Sequence, residues 1–184
     1  MNNSILPHTF RTERLLLRQW CFKDKNAVLG YASDEEWARY MPVPQPYLSK
    51  HAVEFIARQV LLDPAAHCAY AIIFENQAVG GINIRFFFER YAASIGYSIA
   101  RPVWGKGLTP EAARIIIDAA FSTHDDLNRI ESMTDNRNLA SLRVMEKLGM
   151  RREGVLRQSR FEKGELIDVV CCSLLRSEWA AGCR

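Results

Sequence analysis

The chain has 184 residues, with 24 Lys and Arg against 21 Asp and Glu, a formal net charge of +3 and an apolar fraction of 48%. A chain this long should bury roughly 70% of the surface its unfolded form exposes, so residues 1–184 read as one globular domain needing no disulfide or metal staple. The composition excludes disorder, collagen-like repeats and a coiled coil, and the near-balanced charge argues against a nucleic-acid binder that neutralises many phosphates, while leaving room for a small anionic ligand.

Arg14–Trp20 is short, apolar and followed by a polar break, which suits a first strand. One or two short helices are predicted between Asp24 and Tyr40, stopped by Pro42, Pro44 and Pro46, each of which disfavours helix at the residue before it. Ser49 is placed as the N-cap of a helix through Val53, Phe55, Ile56 and Val60 to about Leu62. The period then changes. Cys68–Phe74, Ala78–Phe88 and Ala92–Ile99 are strand-like runs joined by Glu75-Asn76-Gln77 and Glu89-Arg90-Tyr91, an antiparallel meander.

The next helix carries the clearest punctuation, with Thr109 as expected N-cap, Pro110 at the first helical position and Glu111 in the first turn. Ala113, Ile116, Ile117, Ala120 and Phe121 form its apolar stripe, so one face should pack on a sheet. Arg129–Thr134 reads as a strand, Asn138–Leu148 as a helix closed by Gly149, and Met150 onward as strand. Glu162-Lys163-Gly164-Glu165 looks like a hairpin turn before the apolar strand Leu166–Leu175. The order describes an α+β or mixed α/β domain with a helix after each of two central strands.

Cys21, Cys68, Cys171, Cys172 and Cys183 contain neither a CxxC pair nor histidines at zinc-ligand spacing, so no metal site is expected. They fit reduced thiols in a reducing compartment. Met1–Phe10 has no basic segment followed by an apolar one, and no apolar run approaches the roughly 20 residues of a membrane span. The expectation is a cytoplasmic protein with no membrane partner.

The stretch Trp104-Gly105-Lys106-Gly107-Leu108-Thr109-Pro110-Glu111 lies between a strand and a helix. Two glycines allow successive N–H groups to be exposed and the helix start adds partial positive charge, together a site for a phosphate or pyrophosphate. A tight connection is the alternative reading. A Walker A loop is excluded because Gly107 follows Lys106, and GxGxxG because no third glycine stands at the required offset.

In company with Ile95-Gly96-Tyr97-Ser98-Ile99, Asn138-Leu139-Ala140-Ser141 and Glu146-Lys147-Leu148-Gly149-Met150, this stretch closely resembles the GNAT superfamily of N-acetyltransferases, from about Arg11 to Trp179. The opening Thr12–Arg18, the Asn138-x-x-Ser141 pair, Gly164–Val170 and Leu174–Trp179 look most like the ribosomal-protein-alanine N-acetyltransferase branch. The resemblance implies a GNAT-like fold, a central, mostly antiparallel mixed sheet of about six to seven strands flanked by helices. It implies acetyl-CoA as cosubstrate, its pyrophosphate on the amides of Trp104, Gly105, Lys106, Gly107, Leu108 and Thr109. Its pantetheine arm would run beside Tyr97, Ser98 and Ile99 like an added strand, with Asn138 and Ser141 facing the arm and the thioester.

The departures from the family pattern concern the chemistry. Trp104 stands where many members carry Gln or Arg, Thr109 where they carry Gly or Ala, Ser94 where they carry a glutamate base, and Met145 where they carry a tyrosine acid. An α-amine of pKa near 7.8 is about 14% neutral at pH 7, a penalty of roughly 1 kcal/mol, against about 4.6 kcal/mol for a lysine amine near 10.4. A missing strong base is therefore tolerable for an α-amine and costly for a lysine.

Catalysis would rest on positioning and on carbonyl polarisation by a strand amide. Ser141 is the candidate donor to the departing sulfur, and equally a first-turn serine bonding the backbone. Glu35, Glu36 and Asp168 are candidate bases with structural or solvated alternatives; His8, His51, His67 and His124 fall in no motif. Trp37–Tyr47 with Phe86-Phe87-Phe88 either lines an acceptor cleft or packs as core and rim.

Three functions follow: an N-acetyltransferase for a protein N-terminal α-amine such as that of a ribosomal protein, the same chemistry on a small amine (polyamine, amino acid or antibiotic), and an acyl-CoA-binding regulatory module with little catalysis. No nucleic-acid partner is expected, because Arg151-Arg152 and Arg157–Arg160 are interspersed with acids and lack interleaved aromatics. The acceptor would be recognised by the front half of this chain or by a second copy in a homodimer.

Overall fold

The computed structural model describes residues 5–87, 89 and 91–182. Phe88, Arg90 and Cys183, which the sequence reading assigns to a strand, a turn and the thiol set, lie outside the described residues, as do Met1 to Ser4. Eight strands build one sheet: β1 Thr9–Arg11, β2 Leu16–Gln19, β3 His67–Phe74, β4 Gln77–Phe87, β5 Ala92–Ile99, β6 Arg129–Asp135, β7 Arg151–Glu162 and β8 Glu165–Leu175. The helices are α1 Lys25–Ala32, α2 Glu35–Ala38, α3 Ser49–Val60, α4 Leu108–Thr123, α5 Leu139–Lys147 and α6 Arg176–Gly182.

The spatial order is β1-β2-β3-β4-β5-β6-β8-β7. The β5–β6 pair is parallel and the other ladders are antiparallel, so the expected mixed sheet is present with one strand more than predicted. The extra strand, Thr9–Arg11, has three residues, two of them exposed, too few to print an alternation on the sequence. Two-residue turns close two hairpins: Glu75 and Asn76 at φ 49° and 63°, Lys163 and Gly164 at φ 50° and 87°. Positive φ at both central residues matches the right-handed twist of the flanking strands.

Alternation then sorts the faces. Ile82, Ile84, Ile95 and Ile130 pack against Ile116, Ile117 and Phe121 of α4, while Ala71 and Ile73 pack with Trp20 against Val28 of α1, Trp37 of α2 and Ile56 of α3. The sheet is thus covered on both faces over its first half, as the period-3.6 stripe of α4 anticipates.

What positions the site is a short ladder. The β5–β6 pairing covers only Ala92–Ser94 against Arg129–Glu131, and beyond it the strands diverge. Parallel strands require a crossover, here α4, and the glycine turn before that helix leads the chain away from the end of β5. The far part of β5 therefore presents a strand edge to a cleft instead of to a neighbour.

Two helix starts differ from expectation. Gly107, in the left-handed region at φ 75°, is the N-cap of α4, so Thr109 is the second helical residue, and it is buried. Ser49 is likewise the first residue of α3 and not its cap; Leu48 precedes it and donates its N–H to Nδ1 of His51 at 3.0 Å. Helix α6 is additional: Trp179 stacks on Phe121 and donates to Asp118 at 2.7 Å, contacts made across the fold and invisible to local pattern.

Candidate active site

Two cavities occupy the divergence of β5 and β6. The first, about 390 Å³, runs from the glycine turn past Tyr97, Ser98 and Ile99 to α5, and its lining includes Trp104, Gly105, Gly107, Leu108 and Thr109. The second, about 360 Å³, lies on the α3 side, among Gln59, His67, Asn83, Asp135, Arg160 and Glu162. Tyr40, Met41, Tyr97, Ser98, Asn138 and Ser141 line both, so the cavities meet there.

The turn of the first cavity is shaped for an anion. Gly105 and Gly107 hold φ of 77° and 75°, which L side chains rarely adopt, and they deliver the chain to the N-terminus of a 16-residue helix whose first N–H groups lack intrahelical partners. Arg14 fixes the turn from outside: its Nη1 donates to the Lys106 carbonyl at 2.9 Å and its Nε to Glu111 Oε2 at 2.7 Å. Burial disfavours the Glu111 charge, but hydrogen bonds from Thr12 and Arg14 outweigh it and hold the carboxyl below its ordinary pKa.

Trp104 folds back over the strand, donating Nε1–H to the Ile99 carbonyl at 2.7 Å. Lys106 does not line the cavity; its ammonium lies over the Phe74 ring, 5.3 Å from the centroid.

At the junction, Tyr97 reaches across the divergence. Its hydroxyl donates to the Ser141 carbonyl at 3.2 Å and lies 3.2 Å from Ser141 Oγ. Burial pushes the Tyr97 phenol up to about 12, so it stays protonated as a donor. Asn138 caps α5, its Oδ1 accepting from the Ser141 N–H at 3.1 Å, and the residue lines both cavities. Asn138 and Ser141 thus form a helix start that also lines the cleft, with the Ser141 hydroxyl paired to Tyr97 and not, among the described residues, to the backbone.

The base candidates separate. Glu36 lines the first cavity and pairs with Arg39 at 2.9 Å. Glu35 and Asp168 line neither cavity, and Asp168 accepts the Gln158 N–H at 2.9 Å. Ser94 sits at the closed end of the divergence, opposite Arg85 and Glu131, and Met145 is buried in the core.

Of the aromatic segment, Trp37, Tyr40, Met41 and Pro42 reach the cavities, whereas Tyr47 lies buried in the core beneath and Phe86 packs against His124. The Trp37 Nε1–H is buried with no hydrogen-bond partner among the described residues, on a side chain that lines the first cavity.

Residues without a sequence motif complete the second cavity. Asp135 is held by Arg137, whose Nη2 and Nε donate to it at 2.6 and 3.0 Å, and this bonding lowers its pKa despite burial. His67 Nε2 lies 3.2 Å from Asn83 Oδ1. Lys163, at the tip of the β7–β8 hairpin, donates to the carbonyls of Ala38 and Arg39, the latter at 3.2 Å, so the hairpin is fastened to the end of α2 above the cavity. The opposite end of α2 is fastened through Asp34 to Arg101 at 2.7 Å. Neither tether leaves a short-range sequence signal.

Among the described residues no group of three or more His, Cys, Asp or Glu could hold a metal ion, and no helix is long and apolar enough to cross a membrane. A mixed sheet covered by helices on both faces and opened at one strand pair, with a glycine turn and a helix start at the opening, defines the class of α/β domain.

Comparison with known proteins makes this specific. Residues 14–151 match the family model described as an acetyltransferase (GNAT) domain. The chain is 33% identical over 176 residues to the uncharacterized N-acetyltransferase p20 of Bacillus licheniformis, covering 94% of this chain and 98% of p20. A GNAT-family acetyltransferase structure from Bacillus anthracis superposes with a TM-score of 0.82 at 29% identity, covering 92% of this chain and 99% of that one. The ribosomal-protein-S5-alanine acetyltransferase of Vibrio fischeri shares the fold, with a TM-score of 0.78 at 21% identity and coverage of 93% and 98%. The chain belongs to the GNAT family of N-acetyltransferases.

Proposed function

We propose that this protein transfers the acetyl group of acetyl-CoA directly to the α-amine of an acceptor held in the same complex, the acceptor being a protein N-terminus such as that of a ribosomal protein. The observation that carries the reading is the meeting of two cavities at Tyr97, Ser98, Asn138 and Ser141: a thioester placed there is open to an amine arriving from the other side. The residues present suit acetyl-CoA. Side-chain-free turns at Gly105 and Gly107 offer amides to a pyrophosphate, and the outer edge of Tyr97–Ile99 offers strand groups to an extended amide arm.

An α-amine suits a chain with Ser94 and Met145 in place of the family's usual glutamate and tyrosine, because such an amine loses its proton at small cost near neutrality. A small α-amine compound is the second reading, favoured by the Lys163 tether that closes the second cavity to about 360 Å³, the size range of small-molecule sites. Among the described residues, the free thiols Cys21, Cys171 and Cys172 accord with work in the reducing cytoplasm.

The test is CoA release with acetyl-CoA and a panel of Ala- and Ser-terminated peptides, alaninamide, spermidine and an Nα-blocked lysine peptide. Faster turnover on α-amines than on the lysine side chain supports the proposal. Turnover on lysine or spermidine alone overturns it, and turnover on alaninamide but not on peptides selects the second reading.

A further inference from the structure

Resting on that α-amine reading, we infer that His67 accepts the proton of the acceptor amine, with Asn83 as its positioning residue. The second cavity holds six groups able to titrate or carry charge: Tyr40, His67, Tyr97, Asp135, Arg160 and Glu162. Arg160 and the two phenols have no lone pair suited to taking a proton at neutral pH. Asp135 is occupied by Arg137, and Glu162 lies 3.9 Å from the Arg160 guanidinium. The His67 imidazole is the remaining acceptor, with a ring-nitrogen lone pair able to take the proton.

Its surroundings are built for the task. His67 opens β3, beside Arg85 on β4 and within the lining shared with Gln59 of α3. In the tautomer that pairs with Asn83 Oδ1 at 3.2 Å, Nε2 bears the ring proton and Nδ1 the lone pair. Asn83 in turn stands directly across from Gly96 on β5, and a Cβ at Gly96 would come within 3.1 Å of the Asn83 amide. The bare position therefore gives Asn83 room to lie over β5, one residue from Tyr97 and two from Ser98 at the junction. His67 also lines a third cavity of about 70 Å³ with His8 and Gln19, which are themselves 2.8 Å apart. It thus forms part of the wall between the acceptor cavity and a separate polar pocket.

The balance is complete. An ammonium gives one proton to Nδ1, directly or through a water; the neutral nitrogen attacks the thioester carbonyl; the C–S bond breaks; and the second nitrogen proton goes to the departing thiolate. The imidazolium then releases its proton to solvent through the small polar pocket, so the net reaction yields acetamide, CoA thiol and one proton.

The experiment is the pH profile of kcat/KM for the wild-type protein, His67→Gln and Asn83→Asp, using whichever amine of the panel above the wild type acetylates fastest, with acetyl-CoA affinity and Tm as controls. His67→Gln should lose about 100-fold in kcat/KM. Its acetyl-CoA affinity and Tm should be retained, the enzyme's own ionisation should vanish from the profile, and added imidazole should restore part of the rate. Asn83→Asp places a carboxylate beside the ring, favours the imidazolium and should move the acid limb to higher pH. Profiles unchanged in both variants overturn the inference while leaving the α-amine reading intact. A wild type that transfers only to lysine or spermidine overturns that reading first, and a wild type that acetylates nothing overturns both.

Discussion

The two cavities that meet at the divergence of β5 and β6 are made in opposite ways. The first is built from neighbours in sequence: the end of β5, the Trp104–Gly107 turn and the start of α4 supply a strand edge, two left-handed glycines and a row of helical N–H groups within residues 97–109. The second draws on α3, β3, β4, β6 and the distant β7–β8 hairpin, and its working surface is side chain, not backbone. Backbone geometry is imposed by few residue types and tolerates none other at those points. A side-chain pocket changes with every residue that faces it. The first cavity is therefore set by backbone geometry and the second by side chains.

Substitutions that touch one cavity and not the other test this division. The largest effect is expected from Gly107→Val, which forces a β-branched residue to φ 75° beside the Arg14 guanidinium, 3.7 Å from the position of the new Cβ. Strain of order 1–3 kcal/mol corresponds to roughly a 10- to 100-fold loss of acetyl-CoA affinity by calorimetry. Tyr97→Phe removes the O–H that joins β5 to Ser141 across the junction, and should lower kcat about tenfold while changing acetyl-CoA affinity less. An equal loss in both would mean that the junction belongs to the first cavity alone.

Lys163→Met removes the donor that fastens the hairpin to Ala38 and Arg39; it should raise the acceptor KM a few-fold and leave acetyl-CoA affinity unchanged. A change in acetyl-CoA affinity would erase the division at its roof.

The smallest effect lies outside both cavities. Hydrogen bonds from Arg129 and Ser173 lower the Glu153 pKa from 4.5 to about 2. A carboxyl depressed in the folded state adds stability that is present above pH 4.5 and lost as pH falls toward about 2. Because the side chain is 44% exposed, solvent screening keeps this small. Glu153→Gln should flatten the acid side of a Tm-against-pH curve slightly without altering turnover at neutral pH.

The same division governs what the sequence discloses. The meander, the α4 stripe and the Gly149 and Lys163-Gly164 turns are legible because each is set by local period or by a residue needing positive φ. Gly105 and Gly107 announce the anion turn for the same reason, although the cap lies at Gly107 and not Thr109, since a left-handed glycine can start the helix two residues sooner. By contrast, His67, Asn83, Asp135 and Glu162 have no mutual spacing, and only the register that sets Asn83 across from Gly96 assembles them. Glu111 was visible as a first-turn acid, but its role as the anchor of Arg14 depends on a contact 97 residues away. Asp168 shows the converse: an acid in an apolar strand reads as either a base or a structural group, and the structure has it accepting the Gln158 N–H at 2.9 Å and lining neither cavity.

The most direct test of the account is a crystal structure of the protein with bound acetyl-CoA. The account predicts the pyrophosphate on the amides of Gly105 to Leu108, the pantetheine arm along Tyr97–Ile99, and the thioester carbon between Ser98 and Ser141, open toward His67. A thioester lodged away from the Tyr97–Ser141 junction, or a pyrophosphate bound elsewhere than at the start of α4, would contradict it.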